Sequence, residues 1–258
     1  MKTEFYVHNT SELINLYDDA DIIREGWINR FNSKYPESVT YYEIYNRQDY
    51  FKGDCIIKPE DVVVDCGGNI GIFASIAIDM GASRVLSFEP FFDNSELNKK
   101  NNFTAEVFNL AVSNKSSEII ELLYTHTGNG GHTVVQSEFD RDPGHFQHKN
   151  LYVKTITLDD IITENFIDHI DFLKVDTEGA ELMIFEGLSD ENLDKIRCIA
   201  LEYHHSVFNY DETVFNNFQN RFLSRGFNVY TWILDQYTRM IYISRGDVFR
   251  DNPNHNHK

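Results

Sequence analysis

Apolar and polar positions divide the chain into two regimes. Before about residue 60 the apolar positions are sparse, and Ser11–Tyr17 and Ala20–Phe31 space them as amphipathic helices do. Val39–Tyr45 is β-branched and aromatic and predicts a short strand. From Asp61 the pattern changes to short buried runs alternating with helical periodicity. Strands are predicted at Val62–Asp65, Arg84–Phe88 and Glu106–Leu110, with helices at Ile70–Met80, ended by Gly81, and Asp93–Asn101. Glu118–Tyr124 and Leu151–Ile156 are strand-like and flank a polar stretch rich in Gly and His. Alternation then resumes: helix Leu158–Ile162, strand Ile170–Val175, helix Ala180–Phe185, strand Arg197–Tyr203 and a helix near Thr213–Leu223. Strands Asn228–Trp232 and Met240–Ser244 close the pattern around a turn at Leu234–Arg239.

Repeated strand–helix units predict an α/β fold, with parallel strands joined by right-handed crossovers and helices on both faces. The expected organisation is an N-terminal helical cap over 1–53, a main domain over 54–250 and a frayed tail over 251–258. The chain has 258 residues, fitting one large domain, and 41% hydrophobic residues provide ample core.

Charge narrows the function. Acids outnumber bases 41 to 23, for a net charge of -18, and no basic run marks a groove. A nucleic-acid partner is therefore disfavoured, because phosphate-backbone binding draws on Lys and Arg. No apolar stretch reaches the ~20 residues needed to span a bilayer, and the N-terminus does not read as a signal peptide. Cys55, Cys66 and Cys198 are too few and too scattered for a disulfide framework or zinc knuckle, which suits a reducing cytoplasm.

The sharpest local signal is VVVDCGGNIGIF. A buried strand ends in Asp65, and Gly67, Gly68 and Gly71 lead into a helix at the carboxyl edge of the expected sheet, where ligands bind. The next strand ends in Glu89, placed to accept hydrogen bonds from the ribose hydroxyls of an adenosine. NAD and S-adenosyl-L-methionine both suit that geometry. A dinucleotide site calls for G-x-G-x-x-G around a pyrophosphate, whereas here an acid precedes D-x-G-x-N-x-G. A carboxylate repels pyrophosphate and suits an ammonium and a sulfonium, which favours S-adenosyl-L-methionine over a nicotinamide cofactor.

With DVVVDCGGNIGIFA, VLSFEP, NLAVS, TLDDII and DFLKVDTEGAELMIFEG on the page, the chain resembles the FkbM family of S-adenosylmethionine-dependent methyltransferases from about Asp54 to Tyr203. The resemblance implies a Rossmann-like, doubly wound seven-stranded sheet with its last strand antiparallel, the class I methyltransferase fold. It also implies methyl transfer to an oxygen of a sugar, polyketide or other small metabolite. Carried over by motif, Asp65, Gly67, Asn69 and Gly71, with Gly68 in the same loop, would contact the methionine part of the cofactor. Glu89 would hold the ribose, Asn109 or Ala111 would flank the adenine, and Asp176 would lie next to the methyl group. Cys66 replaces a residue that is commonly aliphatic in the family, and reads as a small hydrophobe.

Methyl transfer from a sulfonium needs alignment and, for a hydroxyl acceptor, a base. Two clusters at strand ends offer one: Asp176 with Glu178, and Glu202 with His204. Asp176 and Glu178 share a face if the strand continues through them, and otherwise cap the following helix. Glu202 and His204 share a face by period two, giving a histidine base oriented by a carboxylate. Asp176, Glu202 and His204 are alternatively an oxygen and nitrogen donor set for a divalent cation, so the metal question is open. His126, His132, His145 and His148 match no zinc spacing, and Gly128, Gly130 and Gly131 make their loop a candidate lid. Lys174 reads as buried structure or a salt-bridge partner. The competing functions are an N-methyltransferase acting on protein or nucleic acid and a non-catalytic cofactor-binding scaffold. The fourth strand ends in DTEG rather than the [ND]-P-P-[FYW] of amino-methylating DNA enzymes, and no Pro-Cys pair is present. The small-molecule acceptor and the oligomeric state are not legible.

Overall fold

A computed structural model describes residues 2, 4–7, 13–15, 37–125, 146–204, 211–234 and 238–246. In chain order the elements are β1 (Glu4–Tyr6), β2 (Leu13–Asn15), α1 (Glu37–Tyr41), a π-helical turn (Tyr42–Asn46), β3 (Val62–Cys66), α2 (Ile72–Asp79), β4 (Arg84–Phe88) and α3 (Phe92–Asn101). There follow β5 (Glu106–Phe108), β6 (Ala111–Val112), β7 (Ile119–Thr125), β8 (Phe146–Ile156), α4 (Leu158–Glu164), β9 (Ile170–Val175), α5 (Glu181–Glu186) and α6 (Asp190–Leu193). The chain closes with β10 (Ile196–His204), α7 (Glu212–Leu223), β11 (Asn228–Ile233) and β12 (Thr238–Ser244).

Seven strands form the central sheet in the order β5-β4-β3-β9-β10-β12-β11. Neighbours from β5 through β10 pair in parallel, and β12 runs antiparallel to both β10 and β11. This is the doubly wound sheet with an antiparallel last strand that the family resemblance implies. The order reverses between β3 and β9, so the loops after these two strands open side by side at the carboxyl edge.

Central strands covered on both faces need apolar side chains at consecutive positions. Val63, Val64, Phe172 and Leu173 each have 0% exposure. Period two sends Val64 and Leu173 to a core closed by α4, α5 and α7, and Val63 and Phe172 to a second core closed by α2. That second core also takes Phe5, Val7, Tyr41, Ile44, Tyr50 and Phe51 from the N-terminal segment. Beside the main sheet, β6, β8 and β7 make a three-stranded sheet.

The N-terminal segment departs from expectation. Within Ser11–Tyr17 the described residues Leu13–Asn15 are strand, not helix, and pair antiparallel with β1, with Ile14 opposite the fully buried Phe5. Cross-strand burial outweighs a helical spacing read from very few apolar positions. Val39–Tyr45 is helical rather than extended. Ser38, Val39, Tyr41 and Ile44 are the buried positions, spaced to seat one helical face, which overrides β-branched propensity. The helix expected at Ala20–Phe31 and the tail over 251–258 lie outside the described residues. β8 starts at Phe146, five residues ahead of the strand expected at Leu151. None of the helices among the described residues is long and apolar enough to cross a membrane.

Phe51 joins the N-terminal segment to the sheet, stacked on Phe73 at 6.1 Å and tilted on Phe172 at 5.7 Å. Phe51→Ala is expected to lower the unfolding free energy by about 3 kcal/mol. Because the segment shares the sheet's core, urea denaturation should still show one transition; two separate transitions would refute the shared core.

Candidate active site

The site begins with a buried lysine. Lys174, near the carboxyl end of β9, is 3% exposed, and its ammonium group must find acceptors in the protein. Its Nζ lies 3.1 Å from Asp65 Oδ1, donates to the Gly67 carbonyl at 2.6 Å and sits 3.5 Å from Asp176 Oδ2. Burial opposes the charge, but Asp65 and Asp176 outweigh it and hold the Lys174 pKa above its ordinary value. Asp65 is 0% exposed, and its other oxygen accepts from Ser87 Oγ at 2.8 Å. Asn98 of α3 in turn donates to that Ser87 oxygen at 3.0 Å. Lys174 is therefore a salt-bridge partner, and the acid ahead of the loop already has a cation against it.

The loop packs tightly on its own protein. Gly67 has φ +84, and a Cβ there would lie 1.7 Å from the Asp176 carbonyl oxygen. The Gly67 and Gly68 amides donate to the Phe88 carbonyl at 2.9 and 3.0 Å, while Asp176 N donates to the Cys66 carbonyl at 3.0 Å. The missing side chain thus lets the loop lie against the tip of β9 and brings Asp176 beside it. Asn69 takes φ +46, and Gly71 takes φ +91 as it enters α2. Cys66 is a buried free thiol whose pKa burial pushes up, as suits a small hydrophobe.

Glu89 directly follows β4 and is 5% exposed. Its Oε2 accepts from Asn69 N and its Oε1 from Phe91 N, both at 2.8 Å. Burial raises its pKa to about 7, against the pull of those two amides. Each oxygen still has a lone pair for a hydroxyl donor. Asn109 folds back to donate to the Glu89 and Pro90 carbonyls at 3.0 and 2.8 Å, and Ala111 opens β6, 3% exposed.

The second group gathers at the tips of β9 and β10. β9 stops at Val175, so Asp176 and Glu178 do not sit on a continuing strand; Glu178 turns at φ +55. Even so, His204 Nε2 comes within 3.7 Å of Glu178 Oε2 and 3.6 Å of Glu202 Oε1. His204 Nδ1 lies 3.1 Å from Oε1 of the fully buried Glu181, and the same oxygen accepts from Thr177 N and Gly179 N, each at 3.0 Å. Burial disfavours charge on His204, yet Glu178, Glu181 and Glu202 hold its pKa well above the ordinary value. The surrounding carboxylates thus favour the protonated ring. Burial, with Asp176 and Glu202 nearby, raises Glu178 to about 7 against the pull of His204, although 38% of its side chain remains open to solvent.

Tyr50 completes the group, its Oη within hydrogen-bond distance of both Asp176 Oδ2, at 2.8 Å, and Glu202 Oε2, at 2.7 Å, with one proton to donate to either. Sequence reasoning missed Tyr50 and Glu181. Glu181 lay inside the DTEGAE run, where a third acid at the start of a helix was a signal; Tyr50 had none. One donor atom from each of Asp176, Glu178 and His204 falls within 4.8 Å of the others, a spacing a cation could use. These are oxygen and nitrogen donors of the kind a divalent cation takes, and a cation there would compete with the proton on His204. His126, His132, His145 and the loop glycines fall outside the described residues, and His148 lies in β8.

A family model described as Methyltransferase FkbM domain matches residues 65–229, more than half of the chain. The chain belongs to the FkbM methyltransferase family. It is 26% identical over 190 residues to 31-O-demethyl-FK506 methyltransferase FkbM of Streptomyces tacrolimicus, covering 64% of this chain and 73% of that one. It is 28% identical over 197 residues to the AMB antimetabolite synthetase AmbE of Pseudomonas aeruginosa, covering 64% of this chain but only 9% of the synthetase. Methyltransferase sdnD of Sordaria araneosa is 25% identical over 224 residues, with 76% and 83% coverage. Among solved structures, FkbM from Methylobacillus flagellatus KT is 19% identical with a TM-score of 0.45, covering 84% of this chain and 52% of that one.

As an FkbM-family chain it is a methyltransferase with S-adenosylmethionine as methyl donor. The residues fit that cation. Asp176, Glu178 and Glu202 crowd together beside the glycine loop, and the two cations Lys174 and His204 are shared between them and two further acids, Asp65 and Glu181. The surplus negative charge is what a sulfonium and an ammonium relieve.

Two outcomes follow. Gly67→Ala should cost on the order of 3 kcal/mol or more, since it combines positive-φ strain with a clash. Gly226→Ala, at φ +82 with Arg245 Nη1 3.8 Å from the added Cβ, should cost only about 1 kcal/mol of strain; urea titration compares the two. The unliganded protein should also melt at progressively lower temperature from pH 5 to pH 8. Between about 4.5 and 7 the folded state holds protons on Glu89 and Glu178 that the unfolded state has lost, and above about 6.5 it holds one on His204. Stability falls with rising pH wherever the folded state binds more protons, and a melting temperature that rises across this window would contradict the assignment.

Proposed function

We propose that the chain O-methylates a hydroxyl of a small metabolite, such as a sugar or polyketide, that carries no anionic group near the acceptor oxygen. The observation that carries this reading is Glu178: a carboxylate with its pKa near 7, 38% open, at the rim of an acid-rich site beside the glycine loop. A base whose pKa matches the working pH takes a hydroxyl proton most effectively. The surrounding acids favour the charged form of His204, which lies 3.7 Å from Glu178 and 3.6 Å from Glu202 and so suits an orienting role. Asp65, Gly67, Gly68, Asn69 and Gly71 form the wall for the methionine part of the cofactor. Glu89 would take the ribose, and Asn109 and Ala111 would edge the adenine. When bound, S-adenosylmethionine supplies an electrophilic methyl group; the chain aligns the acceptor and removes its proton.

The name of the Streptomyces relative, which refers to O-methylation of FK506, supports oxygen as the acceptor atom. The acid surplus disfavours nucleic acid, phosphate esters and carboxylates as acceptors. Buried free thiols at Cys55, Cys66 and Cys198 suit a reducing cytoplasm.

The test is calorimetry with S-adenosylhomocysteine, followed by a tritiated-methyl screen over hydroxylated metabolites. Glu178→Gln is expected to lower turnover of the best acceptor by about 10²–10³-fold while leaving S-adenosylhomocysteine affinity within threefold. Binding of NAD in place of S-adenosylhomocysteine, or unchanged turnover in the variant, would sink the reading.

A further inference from the structure

We infer that Asn98 and Asn102 are positioning residues for the methyl donor: one hydrogen-bonded chain running from them sets both the glycine loop and the Asp65 carboxylate. The inference rests on the proposed placement of the cofactor against that loop, and its test separates the two.

α3 turns polar side chains inward. Asn94, Ser95, Asn98 and Asn101 share its buried face, and Asn102, which directly follows the helix, is buried as well. A helix on a sheet ordinarily buries an apolar stripe, and a buried amide costs free energy unless its donors and acceptor are matched. Asn98, Asn101 and Asn102 find their match in the backbone after β3. Asn98 Nδ2 donates to the Gly68 carbonyl at 3.4 Å, Asn101 Nδ2 to that of Ile70 at 2.9 Å, and Asn102 Nδ2 to that of Gly71 at 2.7 Å. A Cβ at Gly68 would lie 2.0 Å from Ser87 Oγ and 2.8 Å from Asn98 Nδ2; one at Gly71 would lie 2.2 Å from Asn102 Nδ2 and 2.3 Å from Asn98 Oδ1. These two glycines therefore make room for the asparagines.

The same side chains continue into the sheet, all donating in one direction. Asn102 Nδ2 donates to Asn98 Oδ1 at 3.1 Å, Asn98 Nδ2 to Ser87 Oγ at 3.0 Å, and Ser87 Oγ to Asp65 Oδ2 at 2.8 Å. Reversing either amide would set lone pair against lone pair at the Gly68 or Gly71 carbonyl, so the direction is fixed. Ser87 has one proton, and with Asn98 on its lone pair that proton turns onto Asp65, at the oxygen Lys174 does not face. In a peptide the carbonyl and the following N–H point opposite ways. The Gly68 carbonyl is held by Asn98 and, at 2.9 Å, by the Gly71 amide, so the Asn69 N–H is presented to Glu89 Oε2, at 2.8 Å. Both acids of the cofactor site are thus tied to α3, Asp65 through Ser87 and Glu89 through the Gly68–Asn69 peptide. Without the asparagines the loop is competent only part of the time, and affinity for the donor falls by that fraction.

Calorimetry of the full chain with S-adenosylhomocysteine measures the effect. Asn98→Ala should weaken binding about tenfold, and Asn102→Ala and Ser87→Ala about fivefold each. Leu193→Ala, a fully buried truncation in α6, should lower the melting temperature at least as much yet leave affinity within about twofold, which separates positioning from loss of stability. With the best acceptor of the tritiated-methyl screen, Asn98→Ala should raise KM for S-adenosylmethionine about tenfold and keep kcat within about threefold, because a saturating donor restores the loop. Ser87→Ala breaks the chain between Asn98 and Asp65, so adding it to Asn98→Ala should cost no more than about a further twofold. If Asn98→Ala fails to fold, Asn102→Ala and Ser87→Ala carry the same comparison with Leu193→Ala. Glu89→Ala reports on the placement itself and should weaken S-adenosylhomocysteine by at least about tenfold. The inference is overturned by unchanged affinity in the asparagine variants, by an equal loss in Leu193→Ala, by a fall in kcat at unchanged KM, or by losses with Ser87→Ala that simply multiply. A full effect of Glu89→Ala alongside any of these leaves the cofactor placement standing; unchanged affinity in Glu89→Ala as well overturns placement and positioning role together.

Discussion

A single ammonium group inside the sheet sets the geometry of everything around it. Lys174 cannot reach water, so Asp65, the Gly67 carbonyl and Asp176 are held where its Nζ can meet them. Those three partners belong to the tip of β3, the loop that follows it and the turn after β9. Buried charge of this kind tolerates little displacement, because losing one partner leaves another charge unpaired in a medium that penalises it. The lysine also engages Asp65 and so moves the unbalanced negative charge of the site one strand across, to Asp176, Glu178 and Glu202.

Around that centre the N-terminal segment is part of the wall. Phe51 and Tyr50 pack against Phe73, and Phe51 and Phe73 also meet Phe172 of β9, so aromatic burial fixes where the Tyr50 hydroxyl arrives. The family match begins only at residue 65. A group between two carboxylates of the site is therefore contributed by sequence ahead of the region that defines the family. Variation there can change what the site accepts while leaving the glycine loop and β9 untouched.

The sequence made β3, β4, β9 and β10 legible because a parallel strand buried on both faces must be apolar at consecutive positions, and the acids at the ends of these strands stand out against that background. Gly67 was legible as a position that excludes a side chain, but not for the reason found: the neighbour that excludes a Cβ is the Asp176 carbonyl. Sequence left Lys174 as buried structure or a salt-bridge partner, without showing that its first partner would be the acid ahead of the loop. Tyr50 lies 126 residues from Asp176 and 152 from Glu202, separations over which no local periodicity speaks. Val39–Tyr45 was misread because β-branched and aromatic residues are common to strands and to helices with one buried face; only the spacing of burial at Ser38, Val39, Tyr41 and Ile44 separates the two.

The place of β12 has a consequence for how the protein is made. β12 lies between β10 and β11, so β11, though translated first, has no neighbour in the sheet until β12 arrives. On the ribosome, β10 waits with one edge open and carrying Glu202 and His204, and a waiting hydrophobic edge is where nascent chains stick to one another. The half of the site on β10 is thus finished only after β12 has emerged, and folding of this edge waits on strands that follow it in the chain.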